Sequence, residues 1–491
     1  MTLEQKLVIL QQNDLHGYLL PHPEGFYDGH GQLSFEEVGG LARIASLVKE
    51  RRMQYGDALL FVDGGDLFHG TGYAVEQQGQ IIQEAYAMLD LDLFVPGNWD
   101  FAYGPARLQT LAKQVAKHTL AANVTYAGDG AVYLPPYVIV ERAGLKLGVI
   151  GLTYGHEMVT MPRKFSEGLR FTLGEEALKK AVFELTGAGV DLIMVVSHMG
   201  FPADVSLAKN VEGIQLILSA HSHDRIHQLV RVHDTLIIQS GAHGSFMTEL
   251  VLTLLPAEKG RTRGKKVIAY AEHRLIPMLF HLSEDLSVKA HVERLTQDYI
   301  ERKNEPIGEL RTPLHRLSLL SAPMDRLLTD AYQWRTGADV AFSHAWRYGA
   351  PVMPGTVRAQ HLDEIIPTNP AVFTANIDGY TLRDALEHNL EQVFSSDPLQ
   401  QKGGYVLRSS GLVMTIKPYN PPGQRIQDLW IGRTPWQGSK MYTIAGAGEQ
   451  ILKGYAFERL EIGETAHDVV RAYFATHGSI AVDDRSNVIT V

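Results

Sequence analysis

The chain has 491 residues, 45% hydrophobic and 20% charged, a globular composition too long for one ordinary core, so two or three domains are expected. Its net charge of −10 leaves no basic footprint for nucleic acid, although bound metal ions could reverse the local field for an anionic substrate. The absence of cysteine excludes disulfides, thiolate metal sites and cysteine nucleophiles.

The chain begins MTLEQKLVILQQNDLHG, where the apolar run Leu7–Leu10 gives way to a polar cluster four residues later. That run is too short for a secretory signal, and no stretch reaches the length of a membrane span. A cytoplasmic enzyme without a membrane partner is the expectation. Residues 1 to about 255 alternate short Val/Ile/Leu runs with helical patterns. The runs are Leu7–Leu10, Leu59–Val62, Leu93–Val95, Leu192–Val196, Ile214–Leu218 and Leu236–Ile238, each of a length and composition suited to buried strands. Helical patterns fall at Val38–Arg52, Gln77–Leu89 and Glu175–Gly187, which makes the architecture α/β. Pro256–Lys266 is polar, basic and glycine-containing, and reads as a surface hairpin loop. Val288–Lys303 has the period of a helix that would join two domains. From about Pro306 proline and glycine become frequent and strand signals weaken.

Polar clusters follow nearly every N-terminal run. Asn13-Asp14-Leu15-His16-Gly17 follows the first, Asp63-Gly64-Gly65-Asp66 the second and Pro96-Gly97-Asn98-Trp99-Asp100 the third. Ser197-His198 and Ala220-His221-Ser222-His223 follow later ones. Ligand sites of open α/β sheets lie beyond the carboxyl ends of the strands, so these loops would converge on one crevice. Carboxylate and imidazole donors without thiolate suit two ions from the Mn, Zn, Fe and Co group. A shared carboxylate can bridge ions about 3.5–4 Å apart.

The ordered set D-x-H, G-D-x-x, G-N-W-D, S-H and A-H-x-H resembles the signature of calcineurin-like metallophosphoesterases, and NDLHG with GGD and GNWDFAYG resembles their 5′-nucleotidase branch. That resemblance implies a four-layer αββα catalytic sandwich over residues 1–285, a linker helix region at 286–318 and a smaller α/β substrate-binding domain at 319–491. It also implies two divalent ions, manganese foremost with Zn, Fe, Co or Mg as alternatives. One would sit on Asp14, His16, Asp66 and His223, the other on Asp66, Asn98, His198 and His221. The implied reaction is hydrolysis of a small anionic phosphoester, a nucleotide in this branch, by metal-activated hydroxide.

The resemblance breaks where the branch carries an acid–base His and a nearby Asp, because Trp99 and Ala102 occupy those places. Tryptophan can stack and donate a weak hydrogen bond but cannot shuttle a proton. The sulfur-oxidation (Sox) thiosulfohydrolases of the same superfamily also carry Trp there. The segments Trp346-Arg347-Tyr348-Gly349 and Gln401-Lys402-Gly403-Gly404 are similar to theirs as well. An alternative reaction is therefore release of sulfate from a sulfur–sulfonate bond on a sulfur-carrier protein. A further alternative is a metal-holding binding protein without turnover. Arg347 and Arg408 are the candidates for gripping a substrate anion, since guanidinium suits oxyanions. Trp99, Trp346 and Tyr348 are candidate pocket walls. His243 is the candidate replacement acid, with His156 and Asp100 behind it.

Overall fold

The computed structural model describes residues 4–256, 266–344 and 346–491. These form two compact units, one of residues 1–22 and 36–297 and the other of residues 23–35 and 298–491.

The first unit holds two six-stranded sheets. In one, Gln5–Gln12, Leu59–Asp63, Leu91–Phe94 and Ala116–Thr119 run parallel in that order. The antiparallel pair Phe246–Pro256 and Lys266–Pro277 extends the Gln5–Gln12 side. In the other, Leu145–Leu152, Leu192–Ser197, Leu216–Ser219 and Thr235–Ile238 run parallel between antiparallel edges. Alternation along the strands builds the core. Leu7, Ile9, Leu60, Val62 and Leu93 of one sheet cluster with Leu147, Val149, Met194, Val196 and Leu218 of the other. Their neighbours Val8, Leu10, Leu59, Phe61, Ile150 and Val195 are equally buried, on the faces turned away from that cluster. Strands buried on both faces need helical cover. Leu41–Tyr55 and Pro105–Val115 pack on the first sheet, and Glu175–Ala188 and Phe201–Asn210 on the second, completing four layers. Glu175–Ala188 shows the local logic. Glu175 and Glu176 favour its N-terminal dipole, and Gly189 ends it in the left-handed conformation at φ 70°.

The expected helices lie within a few residues of those observed, although Gln77–Leu89 contracts to Gln80–Tyr86. The expected hairpin loop falls mostly on 257–265, outside the described residues, between strands that pair antiparallel.

The expected joining helix is present as Leu286–Arg302, and the boundary between units falls inside it. The second unit carries a five-stranded sheet in the order Arg408–Ser410, Val340–Ser343, Met441–Ala447, Ala371–Asp378 and Leu460–Thr465. A four-stranded and a three-stranded sheet accompany it, with the helices Pro323–Thr336, Gly379–Phe394 and Ala466–His477. This is richer in strands than the sequence pattern conveys, because many of its strands are short and only partly buried. Residues 23–35, expected within the first domain, group with the second unit instead. Gly25 accounts for part of this, since a Cβ there would lie 2.2 Å from Leu317 Cδ1. No helix among the described residues is long and apolar enough to cross a membrane.

Candidate metal centre

The parallel strands of the first unit deliver their polar loops to the carboxyl edges of the two sheets. Asp14 and His16 follow Gln5–Gln12, Asp66 follows Leu59–Asp63, and Asn98 follows Leu91–Phe94. His198 follows Leu192–Ser197, and His221 and His223 follow Leu216–Ser219. Asp14, His16, Asp66, His221 and His223 all adopt positive φ, between 50° and 72°. Such backbone costs on the order of 1–3 kcal/mol per residue and persists only when its surroundings fix it.

Two groups of donors result. Asp14, His16 and His223 offer ligand atoms all within 4.8 Å of one another, and so do Asp66, His198 and His221. Asp66 connects them, with Oδ2 3.3 Å from His198 Nε2 and 3.6 Å from His16 Nε2. Asp14 Oδ1 lies 3.3 Å from His223 Nε2 and 3.8 Å from His198 Nε2.

Four of the donors are aimed by hydrogen-bond partners behind them, as metal ligands usually are. His16 Nδ1 sits 3.1 Å from the His69 carbonyl and His198 Nδ1 2.7 Å from the Gly64 carbonyl, so both rings turn Nε2 into the site. Asp14 Oδ2 accepts from Asn13 Nδ2 and the His221 amide, leaving Oδ1 for the site. Asp66 Oδ1 accepts the Trp99 amide at 2.8 Å, leaving Oδ2. Tyr154 stacks on His221 at 4.3 Å.

Several observations fit this set to divalent ions. Asp14 Oδ1, Asn98 Oδ1 and His198 Nε2 are buried with no hydrogen-bond partner among the described residues, an arrangement that costs free energy without a cation. Gly97 lets its loop approach two donors closely, since a Cβ there would lie 2.2 Å from Asp66 Oδ1 and 2.5 Å from His198 Nε2. The Asp66 and Asp14 carboxylates make the site attractive to positive charge, here a proton on His198 that an entering ion would displace. Burial opposes charge on His198, yet the Asp66 and Asp14 carboxylates outweigh it and push its pKa up to about 9. Burial dominates at His16 and lowers its pKa to about 3, which keeps that ring neutral and able to ligate. Oxygen and imidazole nitrogen donors, with no sulfur, are what divalent ions of the Mn–Zn series accept.

The other candidates fall into place differently. His243 borders the first group. Its ring lies 5.9 Å from that of His16 and 5.7 Å from that of His223, and its amide donates to the Asp14 carbonyl. Its own carbonyl lies 3.0 Å from His22 Nε2. Trp99 is buried, stacked flat on His69 at 4.6 Å with Phe165 edge-on at 5.9 Å. His156 precedes the short helix Glu157–Thr160, and its carbonyl accepts from the Thr160 hydroxyl. Asp100 is fully buried and accepts the amides of Asp66, Leu67, Phe68 and Gly97. Burial, then the charge of Asp66, raises its pKa to about 7.

Arg347, Arg408, Trp346 and Tyr348 belong to the second unit. Arg408 is buried and partly engaged by main-chain carbonyls. It is 4% exposed, and its terminal nitrogens donate to the carbonyls of Ser318 at 2.5 Å and Leu319 at 2.7 Å. Burial lowers its pKa to about 10. Trp346 and Tyr348 pack on each other at 5.8 Å and 23°, with the Arg316 guanidinium over Trp346. A base between two rings needs roughly 7 Å, two contacts of about 3.5 Å, so this pair forms a wall and not a slot. Arg347 is half-buried beside them.

Sequence reasoning missed His69, Tyr154 and the clamping role of Asp100. Each acts through partners distant in sequence, and only a coincidence of loops in space reveals them.

Residues 7–225 match the calcineurin-like phosphoesterase family and residues 306–454 match the 5′-nucleotidase C-terminal domain family. A snake venom 5′-nucleotidase of Naja atra is 25% identical across 91% of this chain and 92% of its own length. A sulfate thiohydrolase, SoxB, of Thermus thermophilus superposes with a TM-score of 0.87 at 24% identity, covering 99% of this chain and 96% of that one. A 5′-nucleotidase precursor of Thermus thermophilus superposes with a TM-score of 0.85 at 22% identity, covering 99% of each chain. The two structural likenesses establish the fold. The two domain matches, read with the full-length relative, identify a calcineurin-like phosphoesterase domain followed by a 5′-nucleotidase C-terminal domain, the equipment of a metal-dependent hydrolase of phosphoester bonds.

Proposed function

We propose that the protein is a dinuclear 5′-nucleotidase-like phosphatase that loads manganese and acts on nucleotides or closely related small phosphoesters. The observation that carries this reading is the position of Asp66, whose Oδ2 faces His16 of one donor group and His198 of the other. Asp14, His16, Asp66 and His223 would hold one ion, and Asp66, Asn98, His198 and His221 the other. When bound, such a pair supplies positive charge for the reacting ester and lowers the pKa of a water. The chain's own residues do the rest. His16 and His198 are fixed through Nδ1 and present Nε2. The Trp99 amide orients Asp66. His243, beside the first group, is the side chain placed to hold or give a proton to a departing oxygen. The nucleotide preference comes from the venom relative, a 5′-nucleotidase by name.

A second reading rests on Trp99. Its indole lies flat on His69 and cannot deliver a proton as an imidazolium does. General-acid help is worth typically 10²–10⁴-fold for a poor leaving group, and a sulfur leaving group with a pKa near 8.5 needs less of it. Hydrolysis of a sulfur–sulfonate bond on a carrier protein is the alternative this favours.

Turnover by the Mn²⁺-loaded protein of AMP, p-nitrophenyl phosphate and a thiosulfonate, with His198→Ala as control, separates the two. Cleavage of AMP that is lost in the control supports the nucleotidase reading. Cleavage of the thiosulfonate without AMP replaces it with the second.

A further inference from the structure

The loop at residues 63–70 is the hub of the donor set. Its carbonyls receive the Asp14 amide at Gly65 (2.7 Å), the His16 amide at Asp66 (2.8 Å) and the Gly17 amide at Leu67 (3.1 Å). His198 Nδ1 sits 2.7 Å from the Gly64 carbonyl. The position of this loop therefore decides where Asp14, His16, Asp66 and His198 point. Its amides face the other way, toward Asp100. Asp100 Oδ2 accepts the Asp66 amide at 2.8 Å, and Oδ1 accepts those of Leu67 and Phe68 at 2.8 and 2.9 Å. Oδ2 also accepts the Gly97 amide at 2.8 Å, next to Asn98 on its own loop. The clasp is reciprocal, because Asp66 Oδ1 accepts the Trp99 amide at 2.8 Å.

We propose that Asp100 is a positioning residue for the metal centre, whose carboxylate sets the spacing of the Asp66 and Asn98 loops before any ion binds. This rests on the reading that Asp66 and Asn98 are ligands. The residue type follows from the geometry. Four amide donors converge on two oxygens, and a carboxylate offers about four acceptor sites. Asparagine has the same shape with one oxygen, so in either orientation its amino group faces two donors and two of the four bonds are lost. Glutamate would push the carboxyl about 1.5 Å further into a fully buried pocket. With both oxygens engaged, Asp100 is a support for the ligand loops and not a proton donor to substrate.

The test measures Mn²⁺ affinity, not turnover. Metal-free wild type, Asp100→Asn, Asp66→Asn and the core variant Leu147→Ala are titrated with Mn²⁺ by calorimetry. Asp100→Asn should bind about 10–100-fold more weakly. Leu147→Ala should melt earlier yet bind as wild type does, which separates positioning from general destabilisation. Wild-type affinity in Asp100→Asn, with binding lost in Asp66→Asn, overturns this proposal alone. Wild-type affinity in Asp66→Asn overturns the ligand assignment and the proposal with it. Hydrogen exchange on the metal-free wild type needs no variant to fold. Peptides covering 64–70 and 96–101 should be protected before metal is added, and exchange at the rate of an open loop overturns the clasp.

Discussion

Replacing Gly97 with alanine probes the metal centre with a single methyl group. The backbone there does not lie at positive φ. The backbone conformation itself therefore does not exclude alanine, and what decides the outcome is the space around the new methyl group. The added Cβ would meet Asp66 Oδ1 at 2.2 Å, His198 Cε1 at 2.4 Å and His198 Nε2 at 2.5 Å. Non-bonded heavy atoms sit about 3.5 Å apart at closest comfort, so each side chain must retreat by roughly 1 Å. Asp66 cannot do so without stretching its 2.8 Å bond from the Trp99 amide. A displacement of about 1 Å costs on the order of 10²-fold in a positioned reaction, or about 2.8 kcal/mol. Gly97→Ala should thus cost about 1–3 kcal/mol of stability, leaving a folded protein in which Mn²⁺ affinity and p-nitrophenyl phosphate turnover fall by about 10²-fold or more. Calorimetric Mn²⁺ titration and steady-state kinetics on the same sample read both quantities. A variant that binds Mn²⁺ and turns over like wild type would show that the Asp66 and His198 atoms packed against Gly97 are not part of the metal site.

Three further outcomes follow from the same structure. The Asp92 carboxylate is buried and pairs with the Phe61 amide, Lys117 and Arg142. Burial works against its charge, but these partners outweigh it and hold its pKa below the usual value. Its contribution is therefore present above an unfolded value near 4 and is lost as pH falls through the lower folded pKa. Asp92→Asn should cost about 2–4 kcal/mol in urea melts at pH 7, and the gap from wild type should narrow below about pH 4. Chelation should lower the melting temperature, and Mn²⁺ at 100 times its Kd should restore about 2.7 kcal/mol; a chelated protein melting like the loaded one would contradict a metal site in the native state. Arg408→Ala should destabilise the second unit by about 2–4 kcal/mol through two lost charge-assisted bonds, with little change in KM for p-nitrophenyl phosphate. A tenfold rise in KM at unchanged stability would return Arg408 to the substrate.

The two donor groups could be anticipated from the sequence because each candidate donor sits within four residues of a buried strand, and parallel strands must send those loops to one edge. Asp14-Leu15-His16 and His221-Ser222-His223 are contiguous signals of this kind. Asp100 was legible as a nearby carboxylate but not as a clasp, since three of its four amide partners lie 32 to 34 residues away. The surroundings of Arg408 were hidden for a related reason. Its partners are main-chain carbonyls at Ser318 and Leu319, which leave no side-chain trace in a sequence. Trp346 and Tyr348 were expected as pocket walls, but only their 5.8 Å separation shows that they pack on each other. In the second unit, strands as short as Ser479–Ile480 and Thr434–Pro435 are too brief to establish a period of two. Residues 23–35 follow the first strand in sequence, yet Gly25 meets Leu317, far along the chain.

The most direct test of the account is to strip the protein of metal and add Mn²⁺ back while following hydrolysis of p-nitrophenyl phosphate and AMP. The account predicts no turnover without metal, recovery that saturates near two ions per chain, and no recovery in His198→Ala. Turnover that survives complete metal removal, or a fully loaded protein that cleaves neither phosphoester, would contradict it.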